Sequence, residues 1–300
     1  MSDRQFSPIE ADETLVRALV REQYPRLADA TIRFAGAGWD NSLFRVGDDF
    51  VTRFPRHAAA ADLIANEQRW LPAIATRLPL PVPVPVFCGR PGCGFPWVWT
   101  LASWLPGESA ARASAFDPGV AATDLASFIT ALHQPAPPDA PRNPYRGIPL
   151  SERTELVRSS VHGLPDPALK AVVGAEWNRI LQLPPWAGPP LWIHGDLHPH
   201  NLLVHAGRLS AVVDFGDLTA GDPATDLAVA WMLLPPAARS TLRAALSGAV
   251  QSEEATWRRA RGWALALGLA FQTNTRGDET IAGIGRATLR AVIDDQDSAG

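Results

Sequence analysis

Between Thr31 and Phe54, apolar and polar residues alternate in three short runs, TIRFAG, SLFRVG and DDFVTRF, separated by Gly-rich or Gly-Asp turns. A period of two bounded by turn residues predicts an antiparallel meander of three strands. Over 58–76 the period changes, with Leu63, Ile64, Glu67 and Leu71 at helical spacing, so a helix is expected that Pro72 interrupts or bends. The run LPLPVPVPVFCG cannot be a helix interior and reads as an extended entry to a strand; PWVWTLASWL supplies another, ending at Pro106-Gly107. The first third is therefore expected to be a small sheet carrying one helix.

Beyond Gly107 the periodicity is helical. Asp117 precedes Pro118 as an N-cap, and Ala121, Leu125, Phe128 and Leu132 share one face. His133 at the end of that helix reads as a C-terminal cation or polar cap. After the Pro-rich connector QPAPPDAPRNP, helices are expected near 168–182, 223–234, 237–248, 253–273 and 279–294. The β-like stretch LWIHGDLHPHNLLVHAGRLSAVVDFGD lies between the first two, with strands at 191–193, 202–204 and 209–213 and a turn at Ala206-Gly207. The boundary between the halves falls near 104–110, giving parts at 1–104 and 105–300.

Composition narrows the possible partners. A chain of 300 residues, 46% hydrophobic, is long enough for a sizeable core. A net charge of −4 offers no overall basic field, so nucleic acid is not expected as a partner. The start, MSDRQFSPIEADE, lacks the basic-then-apolar order of an export signal, and no apolar run has the length of a membrane span. A cytoplasmic protein without a membrane partner is expected. Cys88 and Cys93 are too few for a disulfide framework and read as flanking a Gly/Pro turn, with half a zinc site as the alternative.

The densest chemistry is in WIHGDLHPHNLL, which holds His194, Asp196, His198, His200 and Asn201. Taken alone it fits either a metal cage or a loop that handles protons and phosphate. The hairpin that follows delivers Asp214-Phe215-Gly216 at the end of its second strand, and is expected to bring Asp196, Asn201 and Asp214 to one mouth. Oxygen-bearing side chains converging there suit a hard cation such as Mg²⁺.

His194-Gly-Asp196, then Asn201, then Asp214-Phe-Gly eighteen residues after Asp196, resembles the catalytic core of protein kinases. The form His-Gly-Asp-Leu-His-Pro, with Gly195 where protein kinases usually have Arg, is similar to the aminoglycoside/macrolide phosphotransferase family of small-molecule kinases. Upstream, Gly36 and Gly38 lie in the turn where that family covers the nucleotide phosphates. Arg53 stands where it has a phosphate-binding Lys, a departure that keeps the charge on a larger planar fork. Glu67, fourteen residues on, matches the carboxylate that pairs with that cation. Downstream, Asp226 in GDPATDLA matches the Asp that buttresses the catalytic loop through backbone hydrogen bonds, and Asp222 reads as an N-cap before Pro223. The resemblance covers about residues 31–232.

It implies an α+β, protein-kinase-like two-lobed fold: a small antiparallel β-sheet N-lobe with one helix for nucleotide binding, 1–104, and a larger, mainly helical catalytic and substrate-binding C-lobe, 105–300. It implies a phosphotransferase with an alcohol acceptor, moving the γ-phosphate of ATP or GTP to an aminoglycoside, a macrolide or a related natural product. Asp196 would be the catalytic base, and Asn201 and Asp214 would hold Mg²⁺. Arg53, set by Glu67, would meet the phosphates beneath Gly36 and Gly38; Ala102, Ser103 and Trp104 would contact the base through the backbone; His194 and Asp226 would support the loop. His198 is expected to pack or cap within the loop, and His200 and His205 to be exposed or locally bonded. On the acceptor side the late helices offer Glu253, Glu254, Asp278 and Glu279, read as a solvated face, and Trp257, Trp263 and Phe271, read as a core stripe. Two rivals remain: a metal-dependent hydrolase built on His194, Asp196, His198 and His200, and a non-catalytic kinase-fold binding protein for which Arg53 is the motive.

Overall fold

The three alternating runs become strands in the computed structural model, which describes residues 10–249, 253–273 and 278–297. The polar start up to Ile9, on which the expectation of no export signal mainly rests, lies outside the described residues. β1 (Ile32–Ala37), β2 (Asn41–Val46) and β3 (Phe50–Pro55) form the antiparallel meander. β4 (Pro85–Gly89) and β5 (Trp99–Ser103) extend it to five strands in the order β1-β2-β3-β5-β4. Gly89 faces Trp99 across the β4–β5 pair, where a Cβ would stand 2.0 Å from the indole, so only glycine lets these strands close.

The sheet carries two helices where one was expected. α1 (Glu13–Gln23), capped by Asp12, precedes it and buries Val16, Leu19 and Val20 in one cluster with Phe44, Val46, Phe54 and Trp99. Phe54 stacks on Trp99 at 5.1 Å, and each such ring contributes about 1.5–3 kcal/mol through burial. α2 (Ala58–Ala75) runs through Pro72 without interruption. These elements belong to a first compact unit comprising residues 1–77, 81–106 and 214–216; a second comprises 78–80, 107–213 and 217–300.

In the second unit, β6 (Glu108–Ser109) is followed by α3 (Pro118–Leu132), which begins as expected on Asp117, whose side chain accepts from Gly119 and Val120 N–H. A 3-10 turn, Leu150–Arg153, leads into α4 (Thr154–Gly163); neither was expected from the connector. α5 (Pro167–Ile180) precedes β7 (Leu191–Ile193), and β8 (Leu202–His205) and β9 (Arg208–Val212) form the hairpin. Its turn, Ala206-Gly207, has φ of 50° and 77°, the left-handed pair a tight hairpin needs. β7 pairs with an unexpected strand, β10 (Thr219–Gly221).

The helix expected over 223–234 is two, α6 (Ala224–Leu227) and α7 (Val229–Leu233), parted at Ala228. α8 (Pro236–Ala245), α9 (Glu254–Thr273) and α10 (Glu279–Asp297) lie close to their expected places. α9 buries Trp257 and Trp263, and Glu253, Glu254 and Glu279 are exposed, as the core-stripe and solvated-face readings require; Phe271 and Asp278 are half-buried and fit neither reading fully. Among the described residues no helix is long and apolar enough to cross a membrane.

Candidate active site

Glu67 lies on the stripe of α2 formed by Ala60, Ile64, Leu71 and Ile74 and is fully buried. A carboxylate there needs a charged partner. β3 supplies it: Arg53 Nη1 donates to Glu67 Oε2 at 2.5 Å, and Nη2 donates to Asp214 Oδ1 at 2.7 Å. Burial opposes the Arg53 charge, but the two carboxylates outweigh it and raise its pKa above the ordinary arginine value. One planar fork meets the two acceptors through separate nitrogens, a fixed spacing that a compact ammonium does not impose. Asp214 has a φ of 63°, in the left-handed region that Asp tolerates better than most residues.

Gly36, with a φ of 150°, sits at the irregularity in the β1–β2 register, and a Cβ there would meet nothing within 4 Å. Gly38 donates to the Asn41 carbonyl at 2.8 Å, and Arg56 holds the same turn through Nη1 on the Gly38 carbonyl at 3.0 Å. Ala102 and Ser103 lie on β5, opposite Val51 and Phe50. The Trp104 backbone N–H donates to the Asp49 carbonyl at 2.7 Å, and Arg45 stacks on its ring at 4.0 Å, so a backbone contact from Trp104 to a nucleotide base would fall to its carbonyl.

In the second unit the loop 194–201 leaves β7 and enters β8 under tight control. Gly195 has a φ of 83°, and a Cβ on it would lie 2.5 Å from the Asp217 carbonyl oxygen, so both conformation and space demand glycine. Asp226, fully buried on α6, accepts from His194 N–H at 2.8 Å and Gly195 N–H at 2.9 Å. His133 Nε2 lies 3.0 Å from the same carboxylate, so His133 is a buried partner of Asp226 and not the helix-end cap its sequence position indicated. Asp222 accepts from Ala224 N–H at 3.0 Å in the manner of a cap, and also pairs with Arg259 at 2.7 Å, a partner the motif did not reveal.

Asp196, the residue the loop presents, is met from three sides. Arg146 Nη2 donates to Oδ1 at 2.9 Å, His198 Nε2 lies 3.1 Å from Oδ2, and Asn201 Nδ2 donates to the Asp196 carbonyl at 2.9 Å. Burial would raise the Asp196 pKa, but His198 and Arg146 outweigh it and hold the carboxyl well below the usual carboxylate range. Val213 N–H donates to the Asn201 carbonyl at 2.9 Å, tying the loop to the end of β9 immediately before Asp214.

Arg146 escaped the sequence reading because it lies in a Pro-rich connector with no motif spacing to mark it. Its placement depends on two glycines. Gly147, with a φ of 68°, and Gly221 on β10 approach so closely that a Cβ on Gly221 would stand 2.5 Å from the Gly147 carbonyl oxygen. The Asp222 N–H to Gly147 carbonyl bond at 3.0 Å and Asn143 N–H to Thr219 Oγ1 at 2.9 Å dock the connector there. Asn143 Nδ2 also donates to Asp217 at 2.5 Å.

The histidines do not form a cage. His194 Nδ1 accepts from Asp196 N–H at 3.2 Å while Nε2 meets the Val213 carbonyl at 3.1 Å. His198 Nδ1 accepts from His200 N–H at 3.2 Å, and its ring meets Phe271 edge-on at 5.0 Å. With these imidazole nitrogens engaged, no group of three or more His, Cys, Asp or Glu among the described residues could hold a metal. His205 is exposed as expected; His200 is half-buried, with a pKa lowered by burial and by His198. Cys88 and Cys93 are free and exposed.

The profile of the Phosphotransferase enzyme family matches residues 31–263. The chain belongs to that family. Phosphoryl transfer to a hydroxyl is the activity expected of this phosphotransferase. Its fold is similar to aminoglycoside 2′-phosphotransferase-IIIa in its GDP complex, with a TM-score of 0.72 and 19% identity over 95% of this chain and 100% of that one. The GDP and kanamycin complex of APH(2″)-IIIa gives 0.73 and 20% over 93% and 98%. Macrolide 2′-phosphotransferase MphH from Brachybacterium faecium gives 0.61 and 22% over 93% and 98%. At these identities the likeness is one of fold, the kinase-like α+β fold. No curated protein matches the sequence.

Proposed function

We propose that this phosphotransferase moves the γ-phosphate of ATP or GTP to a hydroxyl of an antibiotic-like natural product, of the aminoglycoside or macrolide type or related to them, in the cytoplasm. The observation that carries the reading is Asp196, a half-buried carboxylate held ionised by His198 and Arg146 on a loop that Asp226 clamps through two backbone N–H groups. Similar folds described with GDP, ADP or ATP, and with kanamycin or gentamicin, support the donor and acceptor classes.

Asp196 orients the acceptor hydroxyl and takes its proton. A carboxylate with so low a pKa is a weak base, so the proton moves late, after the bond to phosphorus has largely formed. Arg53, set by Glu67, contacts the donor phosphates, which lie under the turn of Gly36 and Gly38; Ala102 and Ser103 line the nucleotide base. Asn201 and Asp214 fit Mg²⁺: the Asn201 nitrogen is spent on Asp196, which leaves its amide oxygen as the donor, and the Asp214 side chain is 53% exposed with only Oδ1 on Arg53. Bound there, Mg²⁺ would neutralise phosphate charge. Asp226, His194 and His133 keep the loop in register.

A release assay for ADP or GDP over aminoglycosides, macrolides and other hydroxylated compounds tests this. Acceptor-dependent release that Asp196→Asn abolishes is expected; an Asp196→Ala enzyme with near-normal kcat would sink the assignment.

A further inference from the structure

We propose that the acceptor belongs among the compounds related to aminoglycosides and macrolides and not to those two classes themselves: it carries an anionic group, a carboxylate or a phosphate, near the hydroxyl that reacts, and Arg153 and Arg146 receive it. The inference rests on reading Asp196 as the base that meets the acceptor. Arg153 closes the 3-10 turn Leu150–Arg153 and is only 6% exposed. Among the described residues no carboxylate pairs with it, and its buried Nε makes no hydrogen bond. A buried guanidinium N–H with neither a hydrogen bond nor a counter-charge is costly, so the group suits an anion arriving from outside the chain.

Its neighbours sharpen the point. Burial first, and then the like charge of Arg146, push Arg153 down to about 10. Arg146 has counter-charges, Asp196 at 2.9 Å and Asp217 at 4.0 Å, but the second is too distant for a hydrogen bond, and the Arg146 Nε is buried without one. Two buried Nε–H donors, on guanidinium groups that feel each other's charge, therefore stand without a hydrogen bond, and one of the two groups holds the base.

An oxyanion on the acceptor supplies the counter-charge that Arg153 lacks and relieves its repulsion with Arg146. A polycationic acceptor would instead add positive charge beside Arg146. One charge-assisted hydrogen bond in such a place is worth roughly 10- to 100-fold in affinity, enough to set acceptor choice.

Two measurements test this. Sulfate binding is followed by calorimetry at constant ionic strength, with the nucleotide site filled by ADP or GDP. Wild type is expected to hold one saturable sulfate, Arg153→Met to bind it about 10- to 100-fold more weakly, and Arg153→Lys to recover part of the loss. The lysine variant carries the comparison if the methionine variant does not fold. Separately, hydroxy acids and sugar phosphates are paired with their neutral counterparts as acceptors. The anionic member is expected to be preferred, and Arg153→Met to cut the preference by the same factor through KM.

The inference is overturned if Arg153→Met binds sulfate as wild type does, or if neutral or cationic acceptors are used in preference with a ratio that Arg153→Met leaves alone. It is also overturned if Arg153→Met raises KM for the nucleotide instead, since the anion is then the donor phosphate. Sulfate binding without any preference for anionic acceptors points to a free oxyanion site and overturns it too. Failure of the underlying reading looks different: no acceptor of any charge is phosphorylated, or Asp196→Asn transfers as well as wild type, and the inference falls with it.

Discussion

Arg53 and Arg146 each face two carboxylates, and the comparison separates a closed arrangement from an open one. Arg53 makes hydrogen bonds to both of its partners, Glu67 at 2.5 Å and Asp214 at 2.7 Å. Each of its Nη nitrogens is held by a carboxylate, with their second N–H groups left for the donor phosphates, and its partner Glu67 is sealed from water. Arg146 reaches Asp196 at 2.9 Å but stands 4.0 Å from Asp217, with a buried Nε unspent and a second guanidinium, Arg153, close by. Arg53 holds a carboxylate in place; Arg146 also tunes one and keeps a donor in reserve.

The largest effect expected on this contrast comes from Asp196→Asn, which keeps the shape and removes the base: kcat should fall by about 10²- to 10⁴-fold while nucleotide still binds, as measured by turnover and by calorimetry. Glu67→Ala should come next, because it strips Arg53 of its sealed partner; a loss of about 3–5 kcal/mol in urea unfolding is expected, and a loss near zero would mean that Arg53 is not closed.

Gly195→Ala meets both a left-handed φ and the Asp217 carbonyl oxygen, so a destabilisation of about 1–3 kcal/mol with a drop in kcat should accompany it. Arg146→Met removes a cation that holds the Asp196 pKa down. The acid limb of kcat/KM should then move to higher pH by about 1–3 units, whereas an unmoved limb would deny Arg146 its tuning role. The sign follows from the depressed pKa: whatever ionised Asp196 contributes to stability is present above its unfolded value and lost as pH falls through the folded one. The smallest effect belongs to Cys88→Ser with Cys93→Ser, which should leave stability within about 0.5 kcal/mol and bound zinc at none, since both thiols are free and exposed.

The same contrast explains what was legible in the sequence. Arg53, Glu67 and Asp214 were legible through the family resemblance: a cation at a strand end, a carboxylate fourteen residues on in a helix, and Asp-Phe-Gly at the end of the hairpin. Asp196, Asn201 and Asp226 were legible through fixed spacing. Arg146 and Arg153 were not, because a Pro-rich connector has no period and the helix that follows it shares only a weakly apolar face. His133 was misread for a related reason: a residue at a helix end is assigned to that end by local rules, and its true partner, Asp226, is 93 residues away.

Local alternation, helical spacing and turn chemistry act over a few residues, so the sequence by itself determined the meander, α2, α3, the late helices, the hairpin and the chemistry carried by the loop at 194–201. Tertiary structure alone decided the pairings no motif named: His133 with Asp226, Arg259 with Asp222 and Arg146 with Asp196. That outcome depends on close approaches such as Gly147 to Gly221 and Gly195 to Asp217, which bring a connector, a loop and a short strand together from distant parts of the chain. Electrostatic energy in a dry interior turns on distances of an ångström or two, and spacing along the chain does not encode them.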